Sequence, residues 1–281
     1  MPDATTSALL SARERPARPH VMLQRWERLA FLHWRWDPDV IQRTLPPGLT
    51  VDTFQDSAWL AIVPFFMRGI RPRFCPPVPG ISDFLELNVR TYVRDAQGRH
   101  GVWFYSLDCD QPLAVWTART FFHLPYQHAR MSATIEERGS VLECAGPPAL
   151  SEVHRPAESS RGLEHSKTLP RTKQTQIDYA CHRRGEPVAS RYRFQLAGET
   201  RHAEPGTLEF FLAERYLLLS QTPRGLRCGQ VHHTPYPLAE VTLDSWDVNP
   251  LLQAGFEDPK RPPDHVIGSP GVDVVIYALT P

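Results

Sequence analysis

The sequence predicts a mainly β, β-rich α+β domain of about ten or more strands with a few short helices, and three observations lead there. Proline accounts for 28 of the 281 residues and is spread along the whole chain. Because proline removes a backbone donor and clashes with the preceding helical turn, that spacing leaves room only for short helices. Several segments alternate polar and apolar residues with a period of two, the pattern of strands with unlike faces. Clusters of glycine, proline and aspartate punctuate those segments at short intervals. With no internal repeat and no dividing linker, residues 21–281 read as a single domain behind a disordered tail of residues 1–20.

Each element follows from local chemistry. RLAFLHWRW (28–36) is rich in aromatic and aliphatic residues and stops at Asp37-Pro38, an N-cap followed by proline in the first turn, which predicts a short helix over Pro38–Leu45. Pro46-Pro47-Gly48 ends it. LTVDTF and SAWLAIVPFFM then read as paired strands around a Gln55-Asp56 turn, the second strand apolar on both faces and therefore buried. In FLELNVRTYVRD (84–95), Glu86, Asn88, Arg90 and Tyr92 share one face, while Leu85, Leu87, Val89 and Val93 share the other. The polar face fits either bulk solvent or the lining of a polar lumen. GVWFYSLDCD should pair antiparallel with this strand through the turn Asp95–Gly98.

PLAVWTARTFFHLPY suits a short helix after Pro112 or a strand. Residues 143–176 hold few apolar anchors and many turn formers, which marks a variable lid or excursion. QIDYACHRR and SRYRFQL resume the strand pattern across Gly185-Glu186-Pro187. Gly206-Thr207 caps LEFFLAER, with Glu209 in the first turn where the helix dipole favours negative charge. YLLLSQ and LRCGQVHH form a hairpin around Pro223-Arg224-Gly225, Asn249-Pro250 opens a small helix closed by Gly255, and GVDVVIYAL ends the chain as a strand.

Charge and composition remove several function classes. Lysine and arginine together number 31 against 31 acidic residues, and the charges are interspersed. No basic face is available for nucleic acid or for an anionic membrane surface. The longest apolar run, Trp59–Met67, falls far short of the roughly 18 residues that a spanning helix needs. Cys75, Cys109, Cys144, Cys181 and Cys228 are odd in number and lack CxxC spacing, the usage of reduced thiols in a cytoplasmic protein. Lys167, Lys173 and Lys260 are the only lysines, so any Schiff-base mechanism must use one of them. With no phosphate loop, dinucleotide fingerprint or G-x-S-x-G elbow, no cofactor is expected.

HWRWDPDVIQRTLPPGLTVDTF, ELNVRTYV, GVWFYSLDCD, AVWTARTFFHLPYQHARM, TLEFFLAERYLL and VHHTPYPL, in that order, resemble successive blocks of the YqjF-like family of uncharacterised bacterial proteins, domain of unknown function 2071. That family is similar in fold to acetoacetate decarboxylase, which implies a closed or partly closed antiparallel β-barrel with an interior site. In the decarboxylases an arginine is followed six residues later by Pro-Lys, and that lysine forms the Schiff base. Here Arg119 is followed by Pro125-Tyr126, with Gln127 where the decarboxylases carry a second lysine. The arginine matches and the lysine is replaced, so decarboxylation through an iminium at this position is not expected. The catalytic glutamate of the decarboxylases, about thirty residues upstream, would fall near Glu86, and a barrel of this kind would turn Glu86, Asn88 and Arg90 inward.

On that resemblance the candidate catalytic residues are Glu86, Arg119 and Tyr126, and the candidate substrate-binding residues are Asn88, Arg90 and His232. Glu86 with Arg90 or Arg119 forms either an acid/base and anion clamp or a structural salt bridge filling the barrel. Tyr126 either donates to a carbonyl oxygen or fills the space of the missing lysine. His232 and His233 are adjacent on a strand and point to opposite faces, so they do not converge on a metal, and no metal is expected. Glu209 and Arg215, six apart on one short helix, read as a cap and a surface pair. The implied ligand is a small organic molecule that is anionic or carbonyl-bearing. It is turned over by acid/base chemistry without a lysine or bound without turnover, or it is decarboxylated by Lys167 or Lys173 from the lid. Nucleic acid and membrane are not expected as partners, and homo-oligomerisation is left open.

Overall fold

The computed structural model describes residues 4–138 and 174–281. The strands are β1 (Met22–Trp36), β2 (Leu49–Val51), β3 (Ala58–Pro72), β4 (Phe84–Asp95), β5 (His100–Cys109), β6 (Tyr126–Arg138), β7 (Gln174–Arg183), β8 (Ser190–Arg201), β9 (Leu217–Thr222), β10 (Gly225–His233), β11 (Leu238–Ser245) and β12 (His265–Ile276). Between them lie α1 (Ala4–Ala12), α2 (Pro38–Gln42), α3 (Pro112–Phe121), α4 (Leu208–Ala213) and α5 (Asn249–Gln253). The lid expected at 143–176 falls almost entirely outside the described residues, as do Lys167 and Lys173.

The expected caps form. Asp37 accepts from the Asp39 amide at the start of α2, and the Thr207 hydroxyl accepts from the Phe210 amide at the start of α4. The segment left open between helix and strand is the helix α3, started by Gln111, whose side chain accepts from the Leu113 amide.

All strands belong to one sheet, in the order β10-β9-β5-β6-β7-β8-β11-β12-β1-β3-β4-β2, with β4 also paired to β5 and β10 to β12. The β4–β5 pairing closes a ring of nine strands, and the β10–β12 pairing closes a second ring of seven that shares β12, β1, β3, β4 and β5 with the first. The shared strands are therefore buried on both faces over most of their length, which is why β3 is apolar from Ala58 to Met67. Their Ala30, Leu32, Trp34, Ile62, Leu87 and Val89 pack with Ile177, Tyr192 and Phe194 to fill the nine-stranded ring. Their other face, with Phe31, Val63, Phe65 and Val274, looks toward Val231 and Tyr236 and encloses the cavity described below.

Three expectations are corrected. β2 pairs with β4, Leu49↔Asp95 to Val51↔Val93, rather than with β3. β3 already carries β1 and β4 on its two edges, so β2 continues along β4 beyond the last β3 partner. The Gln55-Asp56 turn does form, with φ of 48° and 59°. The sheet is not wholly antiparallel: β5 runs parallel to β6 and to β9, the first pair because α3 carries the chain back across the sheet before β6 begins. Residues 4–12, expected to be disordered, form α1, with Leu9 buried and Arg13 donating to the buried Glu214 at 2.9 Å. β6 and β11 carry no alternation strong enough to single them out in the sequence, and both take their place from the neighbouring strands.

Candidate functional site

A cavity of about 610 Å³ lies inside the seven-stranded ring. Glu86, Asn88 and Arg90 of β4 all line it, together with Tyr126 at the start of β6. The period-two geometry of β4 thus places its polar row inward. Most of the remaining wall is hydrocarbon, including Leu29, Val63, Met67, Phe84, Phe104 and Leu107. The hollow is accordingly an apolar chamber with a polar row, in contrast to the polar lumen that the strand alternation allowed. Among its lining residues Ile81, Leu113 and Phe121 are exposed, Phe121 at 60%, and they mark the mouth. Away from the mouth, lining residues Val102, Phe104 and Leu218 pack on the buried cluster of Trp59, Tyr92, Phe211 and Leu212.

Glu86 is the first residue of this row. The Tyr126 hydroxyl donates to Glu86 Oε2 at 2.7 Å, and the Tyr179 hydroxyl reaches through the sheet to the Glu86 carbonyl oxygen at 2.8 Å. Burial pushes the Glu86 carboxyl up to about 8, the charge of nearby Asp108 adds to the effect, and the Tyr126 and Asn88 hydrogen bonds oppose it. Burial likewise holds the Tyr126 phenol well above its usual range, with the charge of Glu86 as the second cause. Tyr126 is delivered by a tight connection. His123 adopts a left-handed φ of 51°, the Tyr126 amide closes a γ-turn onto the Leu124 carbonyl across Pro125, and the Ser220 hydroxyl caps the Phe122 carbonyl at 2.7 Å.

Arg90 stands four residues further along β4, about 13 Å from Glu86 at the Cα positions of an extended strand. Its guanidinium lies over the rings of Phe31, at 5.3 Å, and Tyr92, at 5.7 Å. Among the described residues it has no ion pair, and Arg90 Nε is buried without a hydrogen-bond partner. Asn88 Oδ1 and Trp26 Nε1, also on lining residues, are buried and unpartnered too.

A second guanidinium joins the same end. Arg215 lines the cavity, donates to Asp52 at 2.7 Å and to the Phe211 carbonyl oxygen at 2.7 Å, and lies 5.0 Å from the Tyr92 ring. Its Nη2 is buried without a partner. Burial lowers the Arg215 pKa, against the opposing pull of Asp52. Asp52 is shared: His100 binds the same carboxylate at 2.7 Å and Arg94 approaches at 3.5 Å. Although burial disfavours its charge, the His100 and Arg215 contacts hold Asp52 below the usual carboxylate range. One carboxylate thus serves two guanidiniums, Arg215 and Arg94, while Arg90 has none, and this end of the cavity carries excess positive charge.

The structure brings together Glu86, Asn88, Arg90 and Tyr126 and leaves out the other two candidates. Glu86 forms no clamp with either arginine, because Arg90 leans toward Tyr92 and away from it. Arg119 is exposed and outside the cavity. Its Nε donates to the Tyr126 carbonyl at 2.6 Å and its Nη2 to Gln127 Oε1 at 3.1 Å, so it braces the backbone that presents Tyr126. His232 is half-buried outside the cavity, with Nδ1 3.1 Å from the Arg13 carbonyl oxygen. Its neighbour His233 faces inward, stacked on Tyr216, with burial lowering its pKa to about 4. Among the described residues no three His, Cys, Asp or Glu side chains gather as metal ligands, and no helix is long and apolar enough to cross a membrane.

Helical spacing from Glu209 predicts a surface position for Arg215, but α4 ends at Ala213, so that spacing does not apply and Arg215 is buried on the cavity wall. Its partner Asp52 lies 163 residues away, and no local signal connects them.

Comparison with known proteins agrees with this architecture. The family model DUF2071, described as an uncharacterized conserved protein, matches residues 23–273. The uncharacterized protein YqjF of Bacillus subtilis is 30% identical over 229 residues, covering 80% of this chain and 79% of that protein. Among solved structures, the enduracididine biosynthesis enzyme MppR complexed with pyruvate aligns with 95% of this chain and 92% of its own at a TM-score of 0.53 and 14% identity. The acetoacetate decarboxylase of Legionella pneumophila aligns over 95% and 92% at a TM-score of 0.47 and 13% identity. The likeness to these enzymes is one of fold, and MppR is the one that carries it. With the family model spanning β1 to β12 and the curated relative covering four-fifths of the chain, this protein belongs to the DUF2071, YqjF-like family.

Proposed function

We propose that the protein binds a small carbonyl or carboxylate compound in this cavity and transforms it by acid/base chemistry centred on Glu86, without a Schiff-base lysine. The observation that carries the reading is the Tyr126–Glu86 hydrogen bond of 2.7 Å on the cavity wall, with the Glu86 carboxyl raised to about 8. A carboxyl poised near neutral pH holds a transferable proton under working conditions. Once the proton passes to a substrate oxygen or carbanion, the carboxylate left behind is stabilised by the Tyr126 hydroxyl, because hydrogen bonds to an ionised acceptor are the stronger ones. Arg119 is a positioning residue, acting through the Tyr126 and Gln127 segment that it holds. MppR binds pyruvate on a similar fold, which supports a small organic acid as ligand. Tyr126 stands where the resemblance places the decarboxylase lysine, and the one described lysine, Lys260, is exposed.

The predominance of apolar wall favours a second reading, in which the same residues recognise a ligand that is only sequestered. A turnover screen of small keto acids and aromatic carbonyl compounds separates the two. Glu86→Gln should bind as the parent does and lose turnover. A parent protein that binds these compounds and turns over none of them would establish the second reading.

A further inference from the structure

The polar groups of the cavity are ordered along its length, and their order specifies the shape of the ligand. The mouth is rimmed by Ile81, Leu113 and Phe121, the Glu86–Tyr126 pair lies further in, and Arg90 with Arg215 lies at the closed end beside Tyr92. A two- to four-carbon keto acid places its carboxylate and carbonyl no more than one methylene apart. Here the cationic end and the acid pair are separated by four residues of extended strand, about 13 Å at Cα. Such a keto acid would also leave most of the 610 Å³ chamber against hydrocarbon, since that volume corresponds to about 20 water-sized units of liquid.

We propose that the ligand is an elongated amphipathic monocarboxylic acid. Its carboxylate is seated by Arg90 and Arg215 at the closed end, and its apolar body runs along the chamber past Glu86 and Tyr126 to the mouth. This rests on the reading of the chamber as the ligand site and names the class of ligand it takes. Two independent observations support it. Arg90 is 8% exposed, lacks any ion pair among the described residues and has a buried, unpartnered Nε, which is the condition of a cation awaiting an anion. Arg215 has a buried, unpartnered Nη2 at the same end, and guanidinium forks suit carboxylates. Beyond them, Val63, Phe65, Met67, Phe84, Leu107 and Leu124 give the body a mostly apolar wall, interrupted by the polar groups of Glu86, Tyr126, Asn88 and Trp26.

The test is a calorimetric titration of the full chain with hexanoate, decanoate and tetradecanoate, alongside methyl decanoate. Affinity for the acids should rise about fourfold per added methylene until the chamber is full, with one molecule bound per chain. The methyl ester should bind at least tenfold more weakly than decanoate. Arg90→Met, which keeps the volume, should abolish that tenfold difference while retaining a cooperative unfolding transition. Equal binding of acid and ester to the parent protein, or affinity independent of chain length, would overturn the proposal. Its failure is separate from that of the acid/base reading. Turnover of a short keto acid without long-chain binding removes only the amphipathic ligand, and tight long-chain binding without Glu86-dependent turnover removes only the chemistry.

Discussion

Arg90 should be a destabilising residue in the unliganded protein. A buried ion without a partner costs several kcal/mol. The cation–π contacts with Phe31 and Tyr92 return roughly 0.5–1 kcal/mol each, and the cavity beside the guanidinium offers it partial hydration. The expected net gain for Arg90→Met is therefore about 1–3 kcal/mol. For a chain of this size each kcal/mol moves Tm by about 2 °C, which gives an expected rise of roughly 2–6 °C without ligand. Arg215→Met is the control, because it is the same change on a partnered arginine. Removing it strips Asp52 of a 2.7 Å contact inside the fold and should cost a few kcal/mol. Thermal and urea denaturation of both variants at one low salt concentration would decide the matter. An unchanged or lowered Tm for Arg90→Met would refute the claim that its charge is unmet, and with it the physical basis of the anion seat.

Glu86 should make stability depend on pH. Its carboxyl is raised from 4.5 to about 8 on folding, so the folded state holds the proton more tightly. The contribution is complete below about pH 4.5 and is lost as pH rises through 8, amounting to a few kcal/mol in all. Glu86→Gln should flatten that part of the stability profile relative to the parent, and superimposable profiles would contradict the assigned direction. Gly268→Val should destabilise by about 2 kcal/mol or more. The single β11–β12 residue pair, Ala239↔Gly268, lies where a Cβ would come within 2.3 Å of Leu196 and 2.9 Å of the Leu29 carbonyl, and urea denaturation would read the loss. Borohydride reduction with pyruvate present should leave the intact mass unchanged, whereas a covalent adduct by mass spectrometry would restore a lysine mechanism.

The sequence by itself determined the local pieces. The helix caps at Asp37 and Thr207, the turns at Gln55-Asp56 and Gly225, and the two-faced character of β4 all rest on interactions within a few residues, where spacing and residue type suffice. The inward row Glu86, Asn88 and Arg90 was readable as a row, and the family resemblance supplied its direction. What only the tertiary structure decided was which strands meet and what the row faces. β2 went to β4 because β3 had no edge left, and α1 ordered because Leu9 is buried and Arg13 found Glu214, 201 residues away. Arg215 came into the cavity through Asp52, and Arg119 was held out of it by the backbone of Tyr126. Charge balance inside a closed sheet depends on neighbours that are distant in sequence, so a residue can be recognised as polar from its neighbours in the chain but as unpaired only once the rings have closed.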